Sequence, residues 1–268
     1  MSDREVLGRK QPLIAMLHLP PSPGVEGHGG MVASIEIVLG EARLYKEAGL
    51  SALMIENMHD FPCIREKAMG PEVATYFTRI ACELRRELGE SFLLGAQVLF
   101  AASKTALAVA QAAELNFIRS EGWIYGHLSD KGWIDGQAGP VKRYQHAIGA
   151  EDVAIFTDIQ KKHASHAVTA DLSIADLAGM LTLHKSDGAI VTGGATGEPP
   201  TLADLEAVRG ASNLPVLIGS GLNAENLPDY APLADAFIVG SVFKEKGRWN
   251  APLDRRRIDA FMDAYARL

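Results

Sequence analysis

The chain has 268 residues, 47% of them hydrophobic, and its 33 acidic and 26 basic side chains leave a net charge of −7. That length and apolar content supply one large core, and the acidic balance excludes a basic nucleic-acid-binding face. Cys63 and Cys82 are too few for a disulfide scaffold and form no CxxC motif, which points to a reduced, cytoplasmic setting.

Met1 to Lys10 is polar and lacks an apolar stretch, so no signal peptide is expected. Beyond it, short apolar runs alternate with longer amphipathic ones. The runs predict strands at Leu13–Leu17, Ala52–Glu56, Phe92–Leu99, Asn116–Arg119, Val153–Thr157, Gly188–Val191, Pro215–Ile218 and Ala236–Val239. All are strand-sized, so no membrane span is expected. Between them, Val73, Phe77, Ile80, Leu84 and Leu88 recur at helical spacing, closed by Gly89. Ile174, Leu177, Leu181 and His184 follow Ser173 as an N-cap, and Leu202, Leu205 and Val208 follow Thr201 in the same way. Ile258, Phe261, Met262 and Tyr265 form the last stripe. Eight such alternations predict a single (β/α)8 barrel domain over residues 1–268. Two connections are long for a barrel: Pro20 to Gly30, and Glu121 to Gly139 with Trp123, Tyr125, His127, Trp133 and Asp135. The aromatic content of the second predicts a substrate lid or a subunit contact.

Barrel chemistry sits at strand C-termini, so polar residues there are the candidates. His18 closes the first strand, where it either acts in a site or caps the Pro20-Pro21 loop. Glu56 and Asn57 close the second, and burial of Glu56 at a barrel mouth would raise its pKa toward that of a general acid or base. Gln97 lies in the third strand. Arg119 ends the fourth, where it binds a substrate anion or pairs with Glu56 or Asp158. Asp158 ends the fifth, followed by Lys161, Lys162 and His163. Glu56, Asp158, Lys162 and His163 are the catalytic candidates, with His163 the better proton carrier by intrinsic pKa. Lys162 lies beyond its strand, which favours electrostatic binding over a Schiff base. His18, Asn57, Gln97 and Arg119 are the substrate-binding candidates. His18, Glu56, Asp158 and His163 could together bind a divalent ion, but no HExxH or clustered Cys/His spacing supports one, so no metal or cofactor is expected.

Three glycine turns follow the last three predicted strands: Thr192-Gly193-Gly194, Gly219-Ser220-Gly221 and Gly240-Ser241. Glycine lets backbone amides approach an anion, and barrels commonly hold phosphate at these strand ends. They match neither a P-loop nor a dinucleotide fingerprint. The expected partner is therefore a phosphorylated small molecule, with the barrel itself a homo-oligomer.

Ile14-Ala15-Met16-Leu17-His18-Leu19-Pro20-Pro21-Ser22-Pro23-Gly24 resembles the opening signature of the BtpA/SgcQ family. The resemblance continues through Gly49-Leu50-Ser51-Ala52-Leu53-Met54-Ile55-Glu56-Asn57, Asp158-Ile159-Gln160-Lys161-Lys162-His163-Ala164 and Val191-Thr192-Gly193-Gly194-Ala195-Thr196-Gly197. It implies a TIM barrel of the ribulose-phosphate-binding kind. It further implies two readings: an enzyme acting on a sugar phosphate or ribosyl phosphate derivative, or a non-catalytic assembly or regulatory factor of the photosystem I biogenesis type. Ser120-Glu121-Gly122-Trp123 departs from the family's more aliphatic continuation, which bears on substrate identity rather than on fold.

Overall fold

The computed structural model describes Leu7, residues 11–195 and residues 197–268. The expected absence of a signal peptide over Met1 to Lys10 and the Thr196 position of the first glycine turn lie outside the described residues, Leu7 apart. The chain runs β1 (Leu13–His18), α1 (Met31–Glu47), β2 (Ala52–Glu56), α2 (Pro71–Leu88), β3 (Leu93–Gln97), α3 (Ser103–Ala112) and β4 (Phe117–Ser120). It continues through β5 (His127–Ser129), β6 (Gly132–Ile134), α4 (Ala138–Ala147), β7 (Ala154–Asp158), β8 (Ala164–Ser165) and α5 (Ile174–Leu183). It ends with β9 (Gly188–Val191), α6 (Leu202–Ala211), β10 (Val216–Ile218), α7 (Leu227–Tyr230), β11 (Ala236–Val239) and α8 (Arg255–Tyr265).

Eight strands close a parallel barrel in the order β1-β11-β10-β9-β7-β4-β3-β2. These are the eight predicted strands, with ends shifted by a residue or two. The local signals act as read: Ser173 and Asp176 form a capping box, the Thr201 side chain accepts from the Asp204 amide at 3.1 Å, and Gly89 ends α2 with φ 90°. No helix among the described residues is long and apolar enough to cross a membrane.

The strand period of two divides the core into two shells. Leu13, Ala15, Leu17, Leu53 and Ile55 pack with the helices in one cluster. Ile14, Met16, Ala52, Met54, Phe117, Phe156, Ile190, Leu217 and Ile238 form a separate cluster inside the barrel. The Phe117 and Phe156 rings meet there at 5.5 Å. Gly95 and Gly188 make room for them: a Cβ at Gly95 would lie 2.1 Å from Phe117, and one at Gly188 would lie 2.7 Å from Phe156. Extending the inward parity toward the strand C-termini gives His18, Glu56, Gln97, Arg119, Asp158, Thr192, Gly219 and Gly240. His18 stands opposite Glu56, and Glu56 opposite Gln97.

The long connection after β4 is a folded excursion. β5 and β6 form a hairpin, and β8, from the loop after β7, pairs antiparallel with β5. Trp123 is fully buried and donates its indole N–H to the His184 carbonyl at 3.2 Å, while Tyr125 and Trp133 remain exposed.

Gly95→Val should cost about 1–3 kcal/mol through overpacking against Phe117. Gly40→Ala, on α1 where an added Cβ meets nothing within 4 Å, should gain about 0.5–1 kcal/mol. Urea unfolding of both variants at pH 7 measures the two effects, and their opposite signs check the barrel packing.

Candidate active site

A cavity of about 660 Å³ opens at the C-terminal mouth of the barrel. Met16 and Ile238, from the inner apolar cluster, lie in its wall. His18, Glu56, Gln97, Arg119, Lys162 and His163 line it, together with Gly219, Ser220, Gly221, Gly240 and Ser241. Asp158 touches its edge through Arg119. The structure therefore brings together most of the residues named from the sequence.

Arg119 and Asp158 are the most tightly fixed. The guanidinium donates from Nε at 3.0 Å and from its terminal nitrogen at 2.7 Å to the two Asp158 oxygens, and both side chains are buried. Burial alone would lower the Arg119 pKa, but the Asp158 charge and hydrogen bonds outweigh it and hold the guanidinium ionised. Of the two expected carboxylate partners, Arg119 therefore pairs with Asp158 and not with Glu56. Both carboxylate oxygens of Asp158 are occupied by that pair.

A second buried pair joins Lys161 to Glu121, the residue after β4. Gln97 Nε2 donates to Glu121 at 2.9 Å, and the Ala101 amide donates at 3.1 Å. Burial opposes Glu121 ionisation, yet Lys161 and these donors hold its carboxyl below the usual range. The Gln97 carbonyl oxygen, by contrast, is buried with no hydrogen-bond partner.

Glu56 has no such counter-ion in contact. Burial raises its pKa, and the Arg119 charge only partly opposes this. Its Oε2 lies 3.7 Å from His18 Nε2. The His18 Nδ1 is 3.2 Å from the Trp249 carbonyl, a contact that places the proton on that nitrogen. Burial, then the charge of Lys244, pushes the His18 pKa down to about 3, so the ring is neutral near neutral pH. Lys162 also lacks a counter-ion in contact, and burial followed by Arg119 repulsion lowers its pKa to about 8. His163 sits exposed at the rim with φ 56°, and burial of its ring, then Lys161 and Lys162, lowers its pKa.

Other candidates take different positions. Asn57 follows the last inward residue of β2 and turns away from the cavity. Its amide donates to Asp60 at 2.9 Å and to the Leu99 carbonyl at 3.2 Å, and its oxygen accepts from the Leu99 amide at 2.7 Å. Thr192, Gly193 and Gly194 are not brought to the cavity wall with the other two turns. A Cβ at Gly193 would lie 2.4 Å from the Glu198 carbonyl oxygen, and one at Gly221 would lie 2.0 Å from the Pro199 nitrogen. These glycines let the loops after β9 and β10 interlock through Glu198 and Pro199. The Ser220 hydroxyl joins the same contact, donating to the Glu198 carbonyl at 2.8 Å.

Sequence reasoning missed Glu121, Trp249, Arg257, Asp130 and Lys131. Glu121 had a usable signal, since it directly follows a barrel strand. Asp130 and Lys131 form the tip of the β5–β6 hairpin and line the cavity, ion-paired at 2.8 Å. Trp249 lies between His59 and Phe61, with ring centroids at 5.1 and 6.2 Å. Arg257, on α8, lines the cavity beside Ser241 and donates from Nε to the Val242 carbonyl at 2.7 Å. Among the described residues, no group of three or more His, Cys, Asp or Glu side chains is placed to hold a metal ion.

A closed parallel barrel with its ionisable side chains gathered at the C-terminal mouth defines the TIM-barrel class. The chain belongs to the BtpA family, whose profile matches residues 9–267. It is 41% identical over 263 residues to a Caenorhabditis elegans protein described as mitochondrial, covering 96% of this chain and 94% of that one. It is 34% identical to the photosystem I biogenesis protein BtpA of Synechocystis, covering 95% of this chain and 88% of the relative. Among solved structures, phosphoribosyl anthranilate isomerase from Thermus thermophilus matches with a TM-score of 0.58 at 12% identity, covering 96% of this chain and 99% of that one. The last likeness concerns the fold.

Asp158→Asn leaves the Arg119 charge buried without its counter-ion and should cost about 3–5 kcal/mol of stability, measured by urea unfolding. His18 is held neutral in the folded chain and takes up a proton on unfolding below pH 6.5, so folding stability should fall as pH drops below that value. His127, pushed down to about 4 by burial and then by His166, adds to the same slope. Unfolding midpoints of wild type and His18→Gln between pH 4.5 and 7 should show a shallower decline in the variant.

Proposed function

We propose that the barrel mouth binds a phosphorylated small molecule and that Glu56 and Lys162 perform acid–base chemistry on it. One observation carries this reading: of the charged groups gathered at the cavity, Arg119–Asp158, Lys161–Glu121 and Lys131–Asp130 are ion-paired, and among the described residues Glu56 and Lys162 stand beside them with no Lys, Arg, Asp or Glu in ion-pair contact, as does Arg257. Burial raises the Glu56 pKa and lowers that of Lys162 to about 8, which moves both toward the range where proton transfer near neutral pH is effective. Arg119, held flat by Asp158, presents a fixed positive charge to an oxyanion. His18 and His163 stand at the rim as further polar contacts.

The phosphate end would lie opposite, at Gly219-Ser220-Gly221 and Gly240-Ser241. Arg257, which lines the cavity and is anchored by its Nε on the Val242 carbonyl, would supply its guanidinium to that end. Thr192, Gly193 and Gly194 support this end by interlocking the loops. The fold likeness to phosphoribosyl anthranilate isomerase agrees with a sugar phosphate or ribosyl phosphate substrate. Isomerisation, aldol cleavage and lyase chemistry all begin with proton movement beside a carbonyl and fit this constellation.

A second reading rests on the description of the Synechocystis relative: a barrel that serves assembly of a protein complex. It predicts association with a protein partner that survives Glu56→Gln combined with Asp158→Asn, as measured by pull-down at a temperature where circular dichroism shows the double variant folded. Loss of association in that double variant counts against a role independent of the site. We further propose that the chain is a cytoplasmic homo-oligomer, with exposed Ile37 and Leu44, seven residues apart on one face of α1, toward a second copy. Light scattering reads the oligomer directly.

Ribose 5-phosphate, fructose 6-phosphate and ribonucleoside monophosphates are the probes for a thermal-shift screen. A binder at a hundred times its Kd should stabilise the fold by about 2.7 kcal/mol. Arg257→Gln and Ser241→Asp should both abolish the shift. For a ligand that is turned over, Glu56→Gln should lower kcat by about 10²–10⁴-fold. Unchanged turnover in Glu56→Gln overturns the assignment of the acid–base group.

A further inference from the structure

Three lysines line the cavity, and two of them are neutralised. Lys131 is paired with Asp130 at 2.8 Å, and Lys161 with Glu121. Lys162 has neither a carboxylate in ion-pair contact nor a hydrogen-bond acceptor among the described residues. Its neighbours by charge are Arg119, Asp158, Glu56 and Lys161. Asp158 is already held by Arg119, which leaves Glu56 as the carboxyl group available to serve the amine. From sequence, Lys162 lies beyond its strand, which favours an electrostatic role over a Schiff base. In the fold, the turn after β7 brings it back to the barrel mouth, where it lines the same cavity as Glu56, Gln97 and Arg119 and interacts by charge with Glu56 and Arg119.

From this juxtaposition we infer that Lys162 is a nucleophilic amine that forms an imine with a phosphorylated aldehyde or ketone, with Glu56 as the proton carrier. The inference rests on the proposed phosphate-binding cavity and names the reacting group within it. In the first step the Lys162 lone pair attacks the carbonyl carbon, and the C–O π pair moves onto oxygen. Glu56 gives its proton to that oxygen and recovers one from the nitrogen, which yields a carbinolamine and a protonated Glu56. In the second step the nitrogen lone pair expels the hydroxyl. Glu56 protonates it, so water leaves and the products are a protonated imine and the Glu56 carboxylate. Atoms and charge balance: a neutral amine, a carbonyl and a carboxylic acid become an iminium ion, water and a carboxylate. The iminium acidifies the adjacent C–H or C–C bond, and the Glu56 carboxylate stands ready as base. No oxidant or reductant is consumed.

Lys162 should stand out from the surface lysines in reactivity. With a pKa of about 8 it carries free amine at pH 7 on the order of a hundredfold more often than a lysine at the usual value near 10.4. The intact protein is incubated at pH 7 with glyceraldehyde 3-phosphate and sodium cyanoborohydride, digested and mapped by mass spectrometry. Early, single-site labelling at Lys162, at least about tenfold faster than at Lys161 or any surface lysine, is the expected result. Lys162→Arg, checked for native circular dichroism, should lose that label and keep only the slow background. Labelling spread over surface lysines with Lys162 unmodified overturns the inference, as does an identical early label in Lys162→Arg.

Glyceraldehyde lacking the phosphate separates the two proposals. If it labels Lys162 at the same rate, and inorganic phosphate does not compete with the phosphorylated probe, the imine stands and the phosphate reading fails. If phosphorylated ligands raise the melting temperature while Lys162 stays unlabelled, the imine fails and the phosphate reading stands.

Discussion

The bidentate bond between Arg119 and Asp158 fixes the chemistry of the barrel mouth. Two opposite charges taken out of water repay their desolvation only when geometry and hydrogen bonding are close to ideal, and this pair meets that condition with both carboxylate oxygens engaged. It commits both Asp158 oxygens to one guanidinium and holds Arg119 in a fixed orientation. Lys161 and Glu121 repeat the arrangement one step further out. Lys162 and Glu56 are what remains. Arg119, Lys131, Lys161, Lys162 and Arg257 line the cavity with Glu56, Glu121 and Asp130, so the distribution of contacts, rather than the count, sets these groups apart.

That distribution follows from strand periodicity. A side chain at every second position enters the barrel, so the apolar plug of Met16, Met54, Phe117, Phe156 and Ile238 is topped by the polar layer of the same strands. The rings below have room because Gly95 and Gly188 carry no side chain. Above, the β5–β6 hairpin closes one side with Asp130 and Lys131, tied to the loop after β7 by the short pairing with β8. The half-open aromatic group of His59, Phe61 and Trp249 borders another. The result is a polar chamber whose floor is apolar and whose walls come from several loops.

Much of this was legible in the sequence because it is local. Strand cores, the Ser173 and Thr201 caps, and the glycine after α2 depend on residues within a few positions of one another. His18, Glu56, Arg119 and Asp158 could be placed at one rim because each ends a predicted strand. The orientation of Asn57 was equally available: it adjoins an inward Glu56 and so faces outward, into the bonds with Asp60 and Leu99. The partners were not legible. Lys161 meets Glu121 and Arg119 meets Asp158 across forty residues or so, and Trp249 and Arg257 reach the site from a segment with no strand-end signature. The three glycine turns look alike as strings, yet Gly193 serves loop packing while Gly219 and Gly240 border the cavity. Only the backbone path of Glu198 and Pro199 separates these roles.

That interlock has a consequence for how the barrel can diversify. With Gly193 and Gly221 both pressed against Glu198 and Pro199, the loops after β9 and β10 form one clasp, and neither can gain or lose a residue without unseating the other. The hairpin after β4 is held at its tip by side chains, Arg65 and the Phe61 and Phe100 rings against Lys131, rather than by a second loop's backbone. Divergence in ligand preference among barrels of this design should therefore accumulate as length variation on the hairpin side, while the clasp side changes by side-chain replacement alone.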